Sequence, residues 1–287
     1  MKGENQTITK CSFFKKFFIG GVALSSSLYF YSRFIEPRRL TVQEIPIISG
    51  KIPLAFNHFK IVQFSDTHLC SFYEIGRLEE LASQINQLKP DIVVFTGDLI
   101  DNPFTYRKAD EIPSILKNIR APFGKYAIYG NHDHGGNGTF LYRILMEHSG
   151  FRLLINNTVK IKKENEHIGI AGIDDVVFNR HHLEQALGHL SPRHFNILLA
   201  HEPDIAELAS RYPVDLQISG HSHGGQIKLP FFGAVVTPKF GRKYVEGLYK
   251  VGNSDMVVYV NRGIGMTRMP LRFLSSPELT VFTLKSE

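Results

Sequence analysis

The chain has 287 residues, 43% hydrophobic and 21% charged, which is enough length and apolar content for one large domain or two small ones and excludes a disordered chain. Its net charge of +6 points to anionic partners, but no block of basic residues forms an arm for nucleic acid, which is therefore not an expected partner. Two cysteines, Cys11 and Cys70, exclude a disulfide framework and a cysteine-based metal site.

In chain order the first feature is an uncharged run from Phe17 to Ser32, bracketed by Lys15–Lys16 and Arg33. It falls short of the roughly 20 apolar residues that span a bilayer, although flanking cations can snorkel and lengthen it. The favoured reading is an uncleaved anchor or interfacial helix at a bacterial inner membrane, with the aromatic cluster YFYSRF at the headgroup level. A cleaved signal ending near Ala23-Leu24-Ser25 and a buried core helix are the alternatives. Basic residues on both sides leave the orientation open. EPRRL, 36–40, punctuates the segment, so 1–40 is expected as a membrane anchor and 41–287 as the folded domain.

Beyond Leu40 one event recurs: a β-branched and aromatic run stops, and a loop opens with metal-type side chains. FKIVQFSDTH predicts a strand over 59–64 followed by Asp66 and His68. A helix follows in RLEELASQINQLKP, with Leu78, Leu81, Ile85 and Leu88 at helical spacing and Pro90 as its stop. DIVVFTGD predicts a strand over 91–96 and then Asp98; KYAIYGNHDH a strand near 125–129 and then Asn131, His132 and Asp133. A helix is expected over 138–150. HFNILLAHEPD predicts a strand over 195–200, then His201, with a helix over 201–211; DLQISGHSH predicts a strand over 215–219, then His221 and His223. Strands alternating with helices argue an α/β layered core, with polar ligands beyond the carboxyl ends of the strands.

Asp, Asn and His supply oxygen and nitrogen donors suited to Mn²⁺, Fe or Zn²⁺. In Asp66-x-His68 and His221-x-His223 alternate residues can point the same way on an extended chain. On that geometry His221 and His223 face two neighbouring metals and Ser222 faces away. Glycines before Asp98, Asn131 and His221 let the backbone turn sharply. Each fragment alone is commonplace, since GD and GN are ordinary turns; their succession after consecutive strands is not. His58, His148, His167, His181, His182, His189 and His194 lack this grammar and are expected to be ordinary, whereas His134 is ambiguous.

These motifs resemble the calcineurin-like metallophosphoesterases: D-x-H, GD, GNHD, a strand-end His and GHxH, in order, over roughly residues 55–285. LLAHEPD, GHSHGGQIKLP and VNRGIGMTRMPLRFLSSPELTVFTL are similar to a membrane-associated bacterial branch that includes small phosphodiesterases and a UDP-2,3-diacylglucosamine pyrophosphohydrolase of lipid A synthesis. The resemblance implies a β-sandwich core flanked by helices, in α/β/β/α layers, as the catalytic domain. It implies two divalent ions, Mn²⁺ first, with Asp66, His68 and His223 on one, Asn131, His201 and His221 on the other, and Asp98 bridging. His132 would protonate the leaving group, with Asp133 fixing its tautomer. Ala200 departs from the glycine that usually precedes the strand-end His. Cys70, where many relatives carry a small residue, is expected as a packed thiol.

For substrate, the anchor and the basic balance favour an anionic, lipid-linked phosphoester at the cytoplasmic face, with UDP-2,3-diacylglucosamine, cleaved to UMP and a lipid monophosphate, as the specific candidate. A general phosphodiesterase or phosphatase is the alternative, and a non-catalytic metal scaffold a further one. KLPFFGAVV, 228–236, is expected to be a core strand and turn, or else to lie against acyl chains. Phe72, Tyr73 and Arg77 are expected either to contact a phosphate or base or to form a solvated helix start. Oligomeric state is left open.

Overall fold

A computed structural model of the protein describes residues 10–135 and 137–287, with side chains from Lys15 onward. The chain begins with α1 (Lys10–Phe30) and β1 (Thr41–Ile48), then runs through β2 (Lys60–Phe64), α2 (Ile75–Gln87), β3 (Ile92–Phe95), α3 (Ile112–Lys117), β4 (Lys125–Ala127), α4 (Gly138–His148) and β5 (Arg152–Leu153). A second series follows: β6 (Asn157–Lys163), β7 (Glu166–Gly172), α5 (Leu183–Leu187), β8 (Asn196–Leu199), α6 (Ala206–Ala209) and β9 (Leu216–Ser219). Last come a small hairpin, β10 (Lys228–Leu229) and β11 (Gly233–Ala234), then β12 (Gly247–Lys250), β13 (Val257–Val260) and β14 (Glu278–Lys285).

Two six-stranded sheets result, ordered β1-β14-β2-β3-β4-β5 and β12-β13-β9-β8-β7-β6. The strands β2 to β5 are mutually parallel, as are β7, β8, β9 and β13. Period-2 alternation sorts their side chains between layers. Ile61, Ile92 and Val94 of the first sheet meet Ile197, Leu199, Leu216 and Ile218 of the second in a core between the sheets. Their neighbours Val62, Phe64, Val93 and Phe95 turn outward under α2, α3 and α4. On the other side Leu198, Ala200, Val258 and Val260 pack under α5 and α6. Burial on both faces is why these strands read as continuous apolar runs. The architecture is the expected α/β/β/α sandwich.

Three regions differ from the sequence-based expectation. The helix expected over 201–211 is a 3₁₀ turn, Pro203–Ile205, followed by the short α6. Its first residues are committed elsewhere: the His201 carbonyl accepts from Gly220 N at 3.1 Å, and the Glu202 carboxylate from Val176 N at 3.1 Å. The packed body starts ahead of Leu40, because Ser32, Glu36 and Pro37 are buried. The run before them is no core helix, since residues 15–30 are exposed throughout. Among the described residues no helix is long and apolar enough to cross a membrane. Finally, KLPFFGAVV is not in the core: it forms the hairpin β10–β11, with Phe231 and Phe232 at its tip in solvent.

Candidate metal centre

The loops after β2, β3, β4, β8 and β9 meet at the carboxyl edge of the two sheets and bring Asp66, His68, Asp98, His201, His221 and His223 together. Neither the Asp66–His68 nor the His221–His223 pair is extended. Asp66 (φ 52), His68 (φ 41), Asp98 (φ 60), His221 (φ 69) and His223 (φ 54) all have positive φ. Such backbone costs of order 1–3 kcal/mol per non-glycine residue and persists where surrounding structure enforces it. Reversing the chain at each donor turns both members of a pair inward over a shorter span than a strand would need. Gly97 (φ +95) makes the expected sharp turn, whereas Gly130 (φ −107) is required for space. A Cβ on Gly130 would overlap the Asp98 carboxylate, and one on Gly220 would overlap the Ser65 hydroxyl and the Asp66 carboxylate.

The ring nitrogens converge on the two carboxylates. Asp98 Oδ2 lies 3.4 Å from His68 Nε2 and 3.2 Å from His201 Nε2, while its Oδ1 accepts the His132 amide at 2.8 Å. Asp66 Oδ1 lies 3.4 Å from His223 Nε2, and the same carboxylate accepts the His221 amide at 3.1 Å. His223 Nε2 and His68 Nε2 are 3.1 Å apart. Potential ligand atoms cluster as Asp66, His68 and His223 in one group and Asp66, Asp98 and His201 in another, with His221 near His201 and Glu202. Asp98 therefore stands between the two ends of the cluster.

Outer hydrogen bonds set which nitrogen each ring presents. His201 Nδ1 donates to the Thr96 carbonyl at 2.6 Å, so Nε2 points into the cluster. His221 Nε2 donates to the Lys239 carbonyl at 2.9 Å, leaving Nδ1 free to act as a donor atom. His68 Nδ1 is 3.1 Å from Asp101 Oδ1. Asn131 Oδ1 and His201 Nε2 are buried with no hydrogen-bond partner. Two orphaned donor atoms, bare ring nitrogens and two carboxylates fit divalent cations of the borderline class, which need deprotonated N and O ligands.

Electrostatics follow from burial and charge. Burial lifts the Asp66 carboxyl above the ordinary range. Burial also opposes the charge on Asp98, but His201, His132 and His68 outweigh it and hold that carboxyl well below its usual value. His201 is the complement: burial disfavours its cation, and Asp98 more than reverses this, raising it well above an ordinary histidine. Desolvation keeps His221 neutral, down to about 3, and holds His223 lower than usual as well.

His132 lines the cavity at the cluster, and its Nδ1 donates to the Asp101 carbonyl at 2.9 Å. The role expected for Asp133 is corrected here. Its carboxylate accepts the amides of Asp98 at 2.7 Å, Leu99 at 2.9 Å and Gly130 at 2.8 Å, and so cannot orient the His132 ring. It sits under the ligand loops because three backbone donors converge there. Asp101 holds the ring instead and also serves His68; sequence reasoning missed it, although an acid three places after Asp98 in GDLID was a usable signal.

Arg272 was missed as well. It is fully buried, donates to the carbonyls of Arg262, Gly263, Gly265 and Ser275, and lies 3.4 Å from His223 Nδ1. His134, left ambiguous, bonds Asp174 at 2.8 Å and Thr139 at 3.0 Å and belongs to none of the donor clusters among the described residues. Cys70 is half-buried, with Sγ accepting the Phe72 amide at 3.4 Å. Phe72, Tyr73 and Arg77 line a different cavity, of about 820 Å³, between α2 and residues 33–40. Ser222 does face away, its hydroxyl donating to the Val245 carbonyl at 2.5 Å.

The cavity on the cluster measures about 510 Å³ and runs from His68, Asp98, Asn131 and His132 to an apolar wall of Ile227, Val235, Val236 and Met269.

The chain is similar to known proteins. A Bacillus subtilis protein named uncharacterized metallophosphoesterase YkuE is 48% identical over 93% of this chain and 93% of its own length. A Bos taurus transmembrane protein with metallophosphoesterase domain is 31% identical over 88% of this chain, which spans 58% of that protein. The UDP-2,3-diacylglucosamine pyrophosphatase LpxG of Chlamydia muridarum is 26% identical over 91% of this chain and 94% of its own. Residues 59–225, which carry the converging loops, match the family of calcineurin-like phosphoesterases. With that match and that degree of identity, the chain belongs to the calcineurin-like phosphoesterase family of metal-dependent hydrolases.

Proposed function

We propose that the protein hydrolyses a phosphodiester or phosphoanhydride in a lipid-linked substrate at a membrane surface, with UDP-2,3-diacylglucosamine as the specific candidate. The observation that carries this reading is the cavity itself, which joins the donor cluster to the apolar wall of Ile227, Val235, Val236 and Met269. A phosphoryl group and an attached acyl chain need those two surfaces side by side. The relative LpxG, 26% identical, is a UDP-2,3-diacylglucosamine pyrophosphatase by name, which supports the same substrate class.

Asp66, His68 and His223 would hold one cation and Asn131, His201 and His221 a second, with Asp98 shared. Two divalent ions when bound, Mn²⁺ being the first choice, supply Lewis acidity to phosphoryl oxygens and to an attacking water. The chain supplies the proton and the alignment. With His132 Nδ1 donating to the Asp101 carbonyl, Nε2 is the position that gains and loses a proton, and the imidazolium form would give it to the leaving oxygen. Burial lowers the affinity of this ring for that proton, and Asp98 with Asp101 more than offsets the loss, so the ring holds its proton more readily than an ordinary histidine. The His132 amide on Asp98 Oδ1 couples the acid's position to the shared carboxylate.

A second reading, a broader phosphodiesterase, draws on Gln226. This amide lines the cavity but is consumed by the Thr267 and Met269 carbonyls and the Thr267 amide, leaving it no edge for a uracil. Incubation of the Mn²⁺-loaded protein with UDP-diacylglucosamine and with simple diesters, read by mass, separates the two. UMP and the lipid monophosphate are expected; turnover of simple diesters alone favours the second reading, and inertness towards both rejects each.

A further inference from the structure

Phe231 is 105% exposed and Phe232 87%, more than any other large apolar side chain among the described residues. They cap β10–β11, and Phe231 sits at φ 69, backbone that a bulky residue adopts at a cost. Water offers no return for this arrangement, and contiguous apolar exposure marks an interaction surface. The other end of the hairpin is occupied: Ile227, Val235 and Val236 wall the cavity that opens on His68, His132 and His221. One element thus runs from an apolar tip in solvent to the reaction cavity.

The root of the hairpin is tied to the place where the N-terminal helix leaves the body. Lys228 N donates to the Phe273 carbonyl at 2.9 Å, and the Phe273 ring meets Tyr31 edge-on at 6.3 Å. Arg272 N donates to the Ser32 carbonyl at 2.9 Å. From Tyr31 backward, α1 exposes Phe30, Tyr29, Ile19, Phe18 and Phe17, bracketed by Arg33 and by Lys15–Lys16. Two apolar projections therefore spring from one strip of the molecule, and α1 has cations at its borders, in a chain of net charge +6.

The geometry points to an anionic lipid bilayer as the occupant of this face, with the Phe231–Phe232 tip inserted at the acyl–headgroup boundary beside α1. Interfacial elements of this type combine a shallow apolar insertion with cations at the headgroups. Insertion of the tip holds the mouth of the cavity against the lipid. An acyl chain can then pass along Ile227, Val235 and Val236 to the metal centre without crossing water. That last consequence rests on the lipid-linked substrate reading; the docking does not.

The sequence contains no tryptophan, so Phe232→Trp in the full chain is a single fluorescent reporter. With vesicles of phosphatidylglycerol and phosphatidylcholine its emission shifts to the blue and is quenched by lipids brominated high on the acyl chain. An unshifted emission on vesicles that co-sediment the protein overturns the proposal. So does a blue shift that follows protein concentration without lipid, because a second copy then covers the tip. Phe231→Ser combined with Phe232→Ser should cut hydrolysis of a vesicle-embedded phosphoester by about tenfold or more and leave soluble bis-p-nitrophenyl phosphate turnover unchanged. Equal loss on both substrates counts against docking. Insertion without turnover of any lipid-linked phosphoester rejects the substrate reading and keeps the docking; turnover in detergent with the tip still in water does the reverse.

Discussion

At the residue scale the proposed mechanism gives metal holding and proton handling to different groups. His132 is anchored through Nδ1 by the Asp101 carbonyl and lies within donor reach of His68 and Asp98, yet it is outside the ligand set proposed for the two cations, so its removal should leave those ligands in place. His132→Ala should lower kcat by about 10²–10⁴ with metal content retained, and less for a p-nitrophenolate leaving group, which needs no proton. Asp133→Asn behaves differently because Asp133 pins the amides of Asp98, Leu99 and Gly130. Thermal stability and metal occupancy should fall together in that variant, and the leaving-group dependence should stay as in the parent; mass-spectrometric metal analysis alongside rates on two leaving groups checks both. His201 gives the site a pH dependence of definite sign. Its proton is held well above the ordinary pKa by Asp98, 3.2 Å away, once burial is overcome. A metal must displace that proton, so affinity falls as pH falls through the range where His201 is charged. His221 and His223 are already neutral and add nothing. Titration calorimetry in two buffers of different ionisation enthalpy should show release of at least one proton as the site containing His201 fills at pH 7; release of none removes His201 from the ligand set.

At the scale of elements, the strands place the donors and the loops aim them. The strands were legible because β2, β3, β8 and β9 are buried on both faces, which leaves runs of Ile, Val, Leu and Phe broken inside only by Gln63 in β2 and Gln217 in β9. Donor residues in the loops after them were legible because strand ends are where a parallel sheet exposes its ligands. The aim was not legible: a strand-like D-x-H looks extended, and the Asp66 carboxylate meets its partner, the His221 amide, only 155 residues on. Asp101 and Arg272 act on His68 and His223 across 33 and 49 residues, distances over which no local pattern speaks. The exposed hairpin reads as core because apolar residues usually are. Gly220→Ala tests the close approach, since its Cβ would overlap Ser65 and Asp66. Overpacking of this type costs about 1–3 kcal/mol. Metal affinity should therefore drop along with the melting temperature, by isothermal titration and calorimetric scan. A variant with unchanged affinity would show that the Asp66 loop has room to retreat.

At the scale of the whole molecule, the N-terminal segment and the loop before the last strand are tied together beside the centre. Glu36 is 1% exposed, and its carboxylate accepts the Leu274 amide at 2.9 Å and the Ser275 amide at 2.6 Å. Ser275 in turn donates its hydroxyl to the His223 carbonyl at 2.7 Å, and Arg272 donates to the Ser275 carbonyl at 2.8 Å. A continuous chain of hydrogen bonds thus runs from the root of α1 to a metal-donor residue. Its most readily exchanged link is the carboxylate. Glu36→Gln keeps the shape but turns an amide NH₂ toward an N–H, and an unsatisfied buried donor costs about 1–3 kcal/mol. In a chain of this size each kcal/mol is worth about 2–4 °C in Tm. The melting temperature of the metal-free variant should fall accordingly, and the added stabilisation by Mn²⁺ should shrink because His223 is less well held. A purely structural clasp would lower both melting temperatures equally and leave the metal-dependent increment unchanged, whereas a clasp that positions His223 reduces the increment itself. The increment, measured with and without Mn²⁺ in both proteins, decides between them.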